Sequence, residues 1–306
     1  VAGLYRSLSL KNFSVLIKLL KSLRKAKKVI KDFSPDVVVG VGGYASGPVL
    51  RQAGKMGIPT LIQEQNSYAG VTNKLLAKKA SAICVAYDGM EKYFPHGKII
   101  KTGNPVRQNF DNLKSIKDEA LTFFNLKKEF PVILVLGGSL GAGSINNCLS
   151  ENINILRDSD CQWLWQTGKY YFENVKALVS LSFSGNISVH GFINRMDYAY
   201  AAADIIVSRA GAGTISELCL VGKPAILIPS PNVAEDHQTR NAEALSKRDA
   251  AMLIPDIKAV KVLVDEAIKL ISDKSRRDKY SENILKMADR DADVRIAEEI
   301  FKLSQR

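Results

Sequence analysis

The sequence has little cysteine, little histidine and no long apolar run. Its 306 residues include four cysteines and three histidines. Cys84, Cys148, Cys161 and Cys219 form no CxxC pair, and His96, His190 and His237 make no HExxH pattern. A disulfide framework or zinc site is therefore excluded as the organising feature, and reduced, partly buried thiols are expected. No stretch of 18 or more uncharged apolar residues occurs, which excludes a membrane-spanning helix. The opening lacks the ordered parts of a signal peptide. It also lacks methionine: Val1 stands first, and a chain cut or begun inside its natural frame is the expectation. No zinc finger or RNA-recognition signature occurs, so nucleic acid is not expected as a partner.

What is present suits two domains of ordinary size. The chain is 46% hydrophobic and 24% charged, enough to bury real cores. Forty-three basic against 31 acidic residues give a net charge of +12. That surplus favours anionic partners, from acidic lipid surfaces to phosphorylated substrates, without choosing among them.

Short runs rich in Val and Ile, at 37–41, 60–62, 82–86, 132–136, 163–165, 204–207, 225–228 and 251–254, alternate with helix-like segments. Such runs read as strands covered on both faces, and the alternation implies βαβ units and parallel sheets. Residues 108–130 are polar and lack a strong apolar run. The expectation is two doubly wound α/β domains, at 1–107 and 108–290, with a ligand cleft between them. Residues 291–306 form a terminal helix that completes the first domain. That domain looks short, because before Val37 there is mainly one helical pattern, over 11–31.

In that helix Phe13, Ile17, Leu20 and Leu23 recur at helical spacing among Lys11, Lys18, Lys21, Arg24, Lys25, Lys27 and Lys28. An amphipathic basic helix can dock on an anionic membrane. The plain alternative is a surface helix whose apolar stripe packs on a sheet.

Four polar segments, three of them Gly-rich, follow strands. Gly137 to Gly143 (GGSLGAG) is a strand-to-helix turn whose backbone N–H groups could hold a diphosphate, with Ser139 adding a hydroxyl. Arg209 to Glu217 (RAGAGTISE) is a second such turn. There Thr214 and Glu217 fit a capping box, and Glu217 could alternatively accept hydrogen bonds from a ribose diol. In Pro229 to Asn241, Asp236 could be an N-cap, while Gln238 and Asn241 are suited to sugar hydroxyls. In the first half Gly40, Gly42 and Ala45 match GxGxxA, with Glu64 24 residues after Gly40, the pattern of a dinucleotide fingerprint. Pro48 suits a first helical turn, and Arg107 could pair with a phosphate.

Taken in order, GVGGYASGP, IQEQNSYAGVTNKLLA, TGNPVR, VLGGSLGAGSINN, WQTGK, GFINRM, AAADIIVSRAGAGTISEL, GKPAILIPSPN and EDHQTRNA resemble one family. This is the bacterial N-acetylglucosaminyltransferase family of the peptidoglycan lipid cycle, known as MurG. The resemblance covers about residues 35–255. It implies a GT-B fold of two Rossmann-like domains, the first incomplete here. It implies transfer of N-acetylglucosamine from UDP-N-acetylglucosamine to the C4 hydroxyl of the muramyl sugar of lipid I, with inversion, giving lipid II. Neither a cofactor nor a metal is implied. The expected partners are the two substrates, an anionic membrane surface on the cytoplasmic face of the bacterial inner membrane, and other cell-wall assembly proteins.

By the same likeness Ile193 would meet the uracil through its backbone and Glu217 would hold the ribose hydroxyls. Ser139, Arg107 and the loop of Ala212, Gly213, Thr214, Ile215 and Ser216 would lie near the diphosphate. Gln238 would contact the sugar, and Asn66 would reach it from the other domain. Phe13, Ile17, Leu20 and Leu23 would face the membrane. The family's first Gly-rich loop, whose histidine is a candidate general base, has no counterpart in the sequence, so no residue is assigned as the base. Donor binding with poor turnover is expected. Alternatives are a related GT-B enzyme (an epimerase or glycolipid synthase), an NAD-dependent dehydrogenase, a non-catalytic scaffold of cell-wall assembly and a non-catalytic UDP-sugar-binding fragment.

Overall fold

The structure is a computed structural model that describes residues 11–107, 110, 112–182 and 184–305. Two compact units emerge: one runs to Pro105 and resumes at Asp291, and the other holds Val106–Arg290. The boundary falls two residues before the expected one, because the first unit binds the chain through Asn104. Thr102 and Gly103 donate their backbone N–H groups to the Val85 carbonyl, and the Asn104 amide joins Gln63 at 2.9 Å and the Gln65 carbonyl at 3.0 Å. Arg107 is thereby counted with the second unit.

The first unit is a parallel four-stranded sheet in the order β1 (Val38–Gly40), β2 (Thr60–Glu64), β3 (Ala82–Val85), β4 (Ile99–Lys101). Helices α1 (Lys11–Phe33), α2 (Gly43–Lys55) and α3 (Val71–Leu76) connect or precede the strands. Helix α1 contains neither Gly nor Pro. It stops where Ser34 turns left-handed (φ 50°), donates its N–H to the Ile30 carbonyl and meets Pro35, which cannot extend a helix. α13 (Ala292–Ser304) sets Ile296 and Leu303 against Leu61, Ala82 and Cys84, covering a face of this sheet with apolar surface. Pro48 lies inside α2 rather than in its first turn, because Gly42 (φ 89°) and Gly43 (φ 74°) start the helix earlier.

The second unit is a parallel six-stranded sheet in the order β10 (Met252–Leu253), β9 (Ala225–Leu227), β8 (Ile205–Ser208), β5 (Val132–Leu136), β6 (Gln162–Gln166), β7 (Ile187–His190). Its helices are α4 (Lys117–Phe123), α5 (Gly143–Glu151), α6 (Ile153–Asp158), α7 (Phe172–Leu181), α8 (Met196–Ala202), α9 (Ala212–Val221), α10 (His237–Ser246), α11 (Asp256–Ser272) and α12 (Lys274–Leu285). Strands β5, β6, β8 and β9 are buried along their whole length; β5 and β9 are accordingly apolar throughout, while β6 is bounded by Gln162 and Gln166 and β8 closes on Ser208. Trp163 and Trp165 anchor the core from β6, and their indole N–H groups are satisfied by Ser159 and Asn146.

From β5 the chain builds outward through β6 and β7, then returns to β8 on the other side. The reversal between β5 and β8 is a topological switch point, and the crevice beyond the strand ends there is where such sheets bind ligands. All four cysteines are buried and none is in a disulfide, and burial raises the Cys84 and Cys148 thiols to about 11. Among the described residues no helix is long and apolar enough to cross a membrane.

Candidate functional site

A pocket of about 530 Å³ opens at the switch point of the second unit. The carboxyl ends of β5, β6 and β8 contribute Gly137, Gly138, Ser139, Gln166, Ser208 and Arg209, and the loop after β7 contributes Phe192, Ile193 and Asn194. Thr214 and Glu217 come from α9, Tyr200 from α8, and Arg107 from the chain entering the unit.

The loop that brings Ser139 to the pocket depends on glycine at two positions. Gly141 (φ 86°) and Gly168 (φ 81°) pack back to back, and a Cβ on Gly168 would lie 2.2 Å from the Gly141 nitrogen. Only glycine takes these angles at this separation. The close approach lets the loop after β5 fold over the loop after β6, leaving Ser139 exposed at the pocket.

Arg209 ties the loops together. Its guanidinium is ion-paired with Asp256 and donates to Ser144 Oγ at 2.9 Å and to the carbonyls of Ile228 and Pro229 at 3.1 and 3.3 Å. Ser144 Oγ donates to the same aspartate at 2.5 Å. One planar group with several donors thus links β8, β9, α5 and α11. Gln238 does similar work: its Oε1 accepts the backbone N–H groups of Ala210 at 3.2 Å and Ser230 at 2.8 Å. It is not among the residues lining the pocket.

At the start of α9, Gly211 is the N-cap, so Thr214 sits inside the first turn rather than at the cap. The capping box of Thr214 with Glu217 does not form. Glu217 instead accepts the Tyr200 hydroxyl at 3.0 Å. Ile215 donates its N–H to the Gly211 carbonyl and buries its side chain, and Ser216 turns its hydroxyl to the Ala212 carbonyl. The N–H groups of Ala212, Gly213 and Thr214 precede the first full helical turn and have no carbonyl four residues back within the helix. Five residues of this loop were expected at the diphosphate, and Thr214 is the one that lines the pocket.

Ile193 lines the pocket, with its N–H given to Gln166 Oε1 at 3.2 Å. Arg107 is exposed there. His190 is not among the lining residues. It shares a hydrogen bond with Ser188 Oγ at 2.9 Å and packs edge-on to Phe124, and burial lowers its pKa. Asp236 precedes α10 in a left-handed conformation, and its carboxylate accepts the Thr239 hydroxyl rather than a backbone N–H.

Asn66 belongs to the first unit, where it donates through its backbone and its amide to Glu64. Glu64 is 2% exposed and also accepts Gly70 N at 3.0 Å and Asn73 Nδ2 at 2.8 Å. Its carboxylate is thus committed to pinning its own loop. The acid that a dinucleotide fingerprint would offer to a ribose is occupied, and the dehydrogenase reading loses its support. Of the proposed membrane-facing residues, Ile17 and Leu20 are 43% and 54% exposed, Leu23 is half-buried, and the Phe13 side chain lies outside the described residues.

Gln166, Tyr200 and Arg209 were not singled out from the sequence. Gln166 and Arg209 stand in the strings WQTGK and SRAGAG, whose position after a strand was the available signal.

The glycosyltransferase family 28 C-terminal domain model matches residues 132–296, and that family's N-terminal domain matches residues 1–85. A protein of Parabacteroides distasonis is 54% identical over 303 residues, 99% of this chain and 82% of the relative. It is named UDP-N-acetylglucosamine–N-acetylmuramyl-(pentapeptide) pyrophosphoryl-undecaprenol N-acetylglucosamine transferase. The crystal structure of Acinetobacter baumannii MurG superposes with a TM-score of 0.76 at 28% identity, covering 94% of this chain and 79% of that one.

The chain belongs to the MurG family of glycosyltransferases.

Its two parallel-sheet α/β units are those of the GT-B fold of that family. A UDP-GlcNAc 2-epimerase from Neisseria meningitidis also superposes, with a TM-score of 0.67 at 18% identity over 98% of this chain and 84% of that one. That likeness is one of fold alone, whereas MurG relatives share half of this chain's residues.

Proposed function

We propose that this MurG-family chain transfers N-acetylglucosamine from UDP-N-acetylglucosamine to lipid I, forming lipid II. The observation that carries the reading is the switch-point pocket, which gathers the expected donor-site residues Ser139, Ile193, Arg107, Thr214 and Glu217 on one unit. The Ile193 carbonyl meets the imide N–H of uracil, and Glu217 accepts the ribose hydroxyls. The diphosphate lies between Ser139, Arg107 and the amino end of α9. Gln238 keeps its two amide hydrogens for the sugar, since its oxygen is held by backbone.

Departure of UDP places negative charge on the diphosphate. The α9 N–H groups and macrodipole, the Arg107 guanidinium and the Ser139 hydroxyl are fixed donors for that charge, in place before the bond breaks. The acceptor hydroxyl loses its proton to a general base as it attacks. The second unit therefore grips the donor and stabilises the leaving group, while the first unit receives the lipid-linked acceptor.

The first unit's α1 supports peripheral attachment to the cytoplasmic face of the inner membrane. Val15, Ala26 and Ile30 are its buried stripe, and Ile17 and Leu20 are exposed among its lysines. Such a face combines apolar insertion with attraction to anionic lipid. The deciding experiment is titration calorimetry with UDP and UDP-N-acetylglucosamine, followed by transfer of labelled sugar to a lipid I analogue. Saturable heat and a labelled disaccharide lipid are expected. Folded protein that gives no heat with either nucleotide overturns the reading.

A further inference from the structure

Glu217 can accept both hydroxyls of a ribose only if its carboxylate is held in one orientation. The side chain lines an open pocket and has three rotatable bonds, so packing alone fixes it poorly. The group that holds it is Tyr200, which donates its hydroxyl to Glu217 Oε2 at 3.0 Å.

Tyr200 is itself immobile. It is 1% exposed and stands on α8 beside Ala199, Ala201 and Ala202, all buried. Phe110 meets its ring edge-on, with centroids 5.4 Å apart and planes at 82°. Burial first, and the charge of Glu217 second, push the phenol well above its usual pKa, so it remains protonated and a donor throughout the neutral range. A hydroxyl donor to an ionised carboxylate makes a strong hydrogen bond, and a carboxylate has room for several more.

We infer that Tyr200 is a positioning residue for nucleotide recognition: it occupies one oxygen of Glu217 and so presents the carboxylate to the ribose diol. The inference rests on the donor site proposed above. A plain alternative exists, in which the pair only satisfies a buried phenol and stiffens the contact of α8 with α9. The two differ in what they do to discrimination between ribose and deoxyribose.

The test is calorimetric titration of UDP and 2′-deoxy-UDP into the wild type, Tyr200→Phe, Glu217→Gln and Phe110→Leu. The wild type is expected to prefer UDP by about tenfold, the worth of one charge-assisted hydrogen bond. Tyr200→Phe should weaken UDP by about tenfold but 2′-deoxy-UDP by less than about threefold, so that the preference collapses. On a Glu217→Gln background the same change should do little more, because the two residues act as one unit. Phe110→Leu disturbs the ring but spares the hydroxyl, and should keep the wild-type preference. A Tyr200→Phe protein that retains that preference, or loses both nucleotides in parallel, overturns the inference. Failure of the wild type to bind either nucleotide overturns the donor site itself.

Discussion

Tyr200 and Glu217 stand on successive helices and share a 3.0 Å hydrogen bond across the wall of the switch-point pocket. The bond constrains how Glu217 can be tested. Replacement by alanine would leave the buried phenol without its acceptor, costing stability for a reason unrelated to binding. Glutamine keeps an oxygen for Tyr200 and removes only the charge. Glu217→Gln should therefore weaken UDP by about tenfold or more while stability stays within about 1 kcal/mol of wild type. Calorimetry and urea unfolding check the two halves. Unchanged affinity beside lost stability would make Glu217 a structural residue only.

The back-to-back glycines predict a steric effect of a different size. Alanine at Gly168 would place a methyl against the Gly141 backbone in a conformation that L-residues rarely adopt. The loops must separate or the backbone must strain, at a cost of about 2 kcal/mol or more. Gly168→Ala should lower the urea midpoint and weaken UDP together, because the displaced loop carries Ser139. Gly185→Ala, with no atom near the added Cβ, is the control and should lie near wild type.

Much of this arrangement was legible in the sequence, and what was not has a common cause. The long buried strands announced themselves as apolar runs because both their faces are covered. β4 and β7 went unseen: each is an edge strand that is only partly buried and, unlike the edges β1 and β10, does not sit in a Val- or Ile-rich apolar run, since ISVH alternates and IIK stops short. Glu217 was legible as an acid after a Gly-rich turn, but its partner was not. A tyrosine among alanines in a helix reads as core, and only the fold brings it to a carboxylate 17 residues later. Arg209 was hidden similarly. Its partners Ser144 and Asp256 are 65 and 47 residues distant, and no local pattern links them.

Arg209→Lys follows from that network. A lysine keeps the charge opposite Asp256 but cannot reach the hydroxyl and both carbonyls from one plane. The ion pair is about four-fifths buried at both ends, so the loss is felt, though solvent softens it. A destabilisation of about 2 kcal/mol in urea unfolding is expected. UDP affinity should fall too, because the loops after β8 and β9 lose their common tie. A variant as stable as wild type would show that the remaining bonds suffice.

Lys223 predicts a pH effect. Its ammonium donates to the carbonyls of Ala201 at 3.0 Å and of Ala203, and burial lowers its pKa to about 8 from 10.5. Between those values the unfolded chain binds the proton more fully than the folded one, so stability rises with pH. The gain is lost as pH falls through about 8. Above about pH 8 the raised thiols of Cys84 and Cys148 increasingly work in the opposite sense, since the unfolded chain ionises them first. The window in which the lysine dominates is therefore about pH 7–8, below the ionisation of the unfolded thiols. Unfolding free energy should climb there in the wild type, and the slope should flatten in Lys223→Met. Equal slopes would mean that Lys223 titrates near its ordinary value.

The last prediction concerns α1, where stability and attachment separate by face. Ile17 and Leu20 are exposed, while Val15, Ala26 and Ile30 hold the helix to its unit. Leu20→Glu should leave the melting temperature nearly unchanged, because an exposed position contributes little to the core. It should nonetheless abolish co-sedimentation with vesicles containing anionic lipid, since it removes apolar insertion and adds a repelled charge to one surface. Reversal of Lys21 and Lys28 to glutamate tests the electrostatic part alone, and the wild-type binding it removes should also weaken with salt. UDP affinity should be untouched in both variants, because no residue of α1 lines the pocket of the second unit. Vesicle binding that survives Leu20→Glu at full strength would mean that attachment uses another surface.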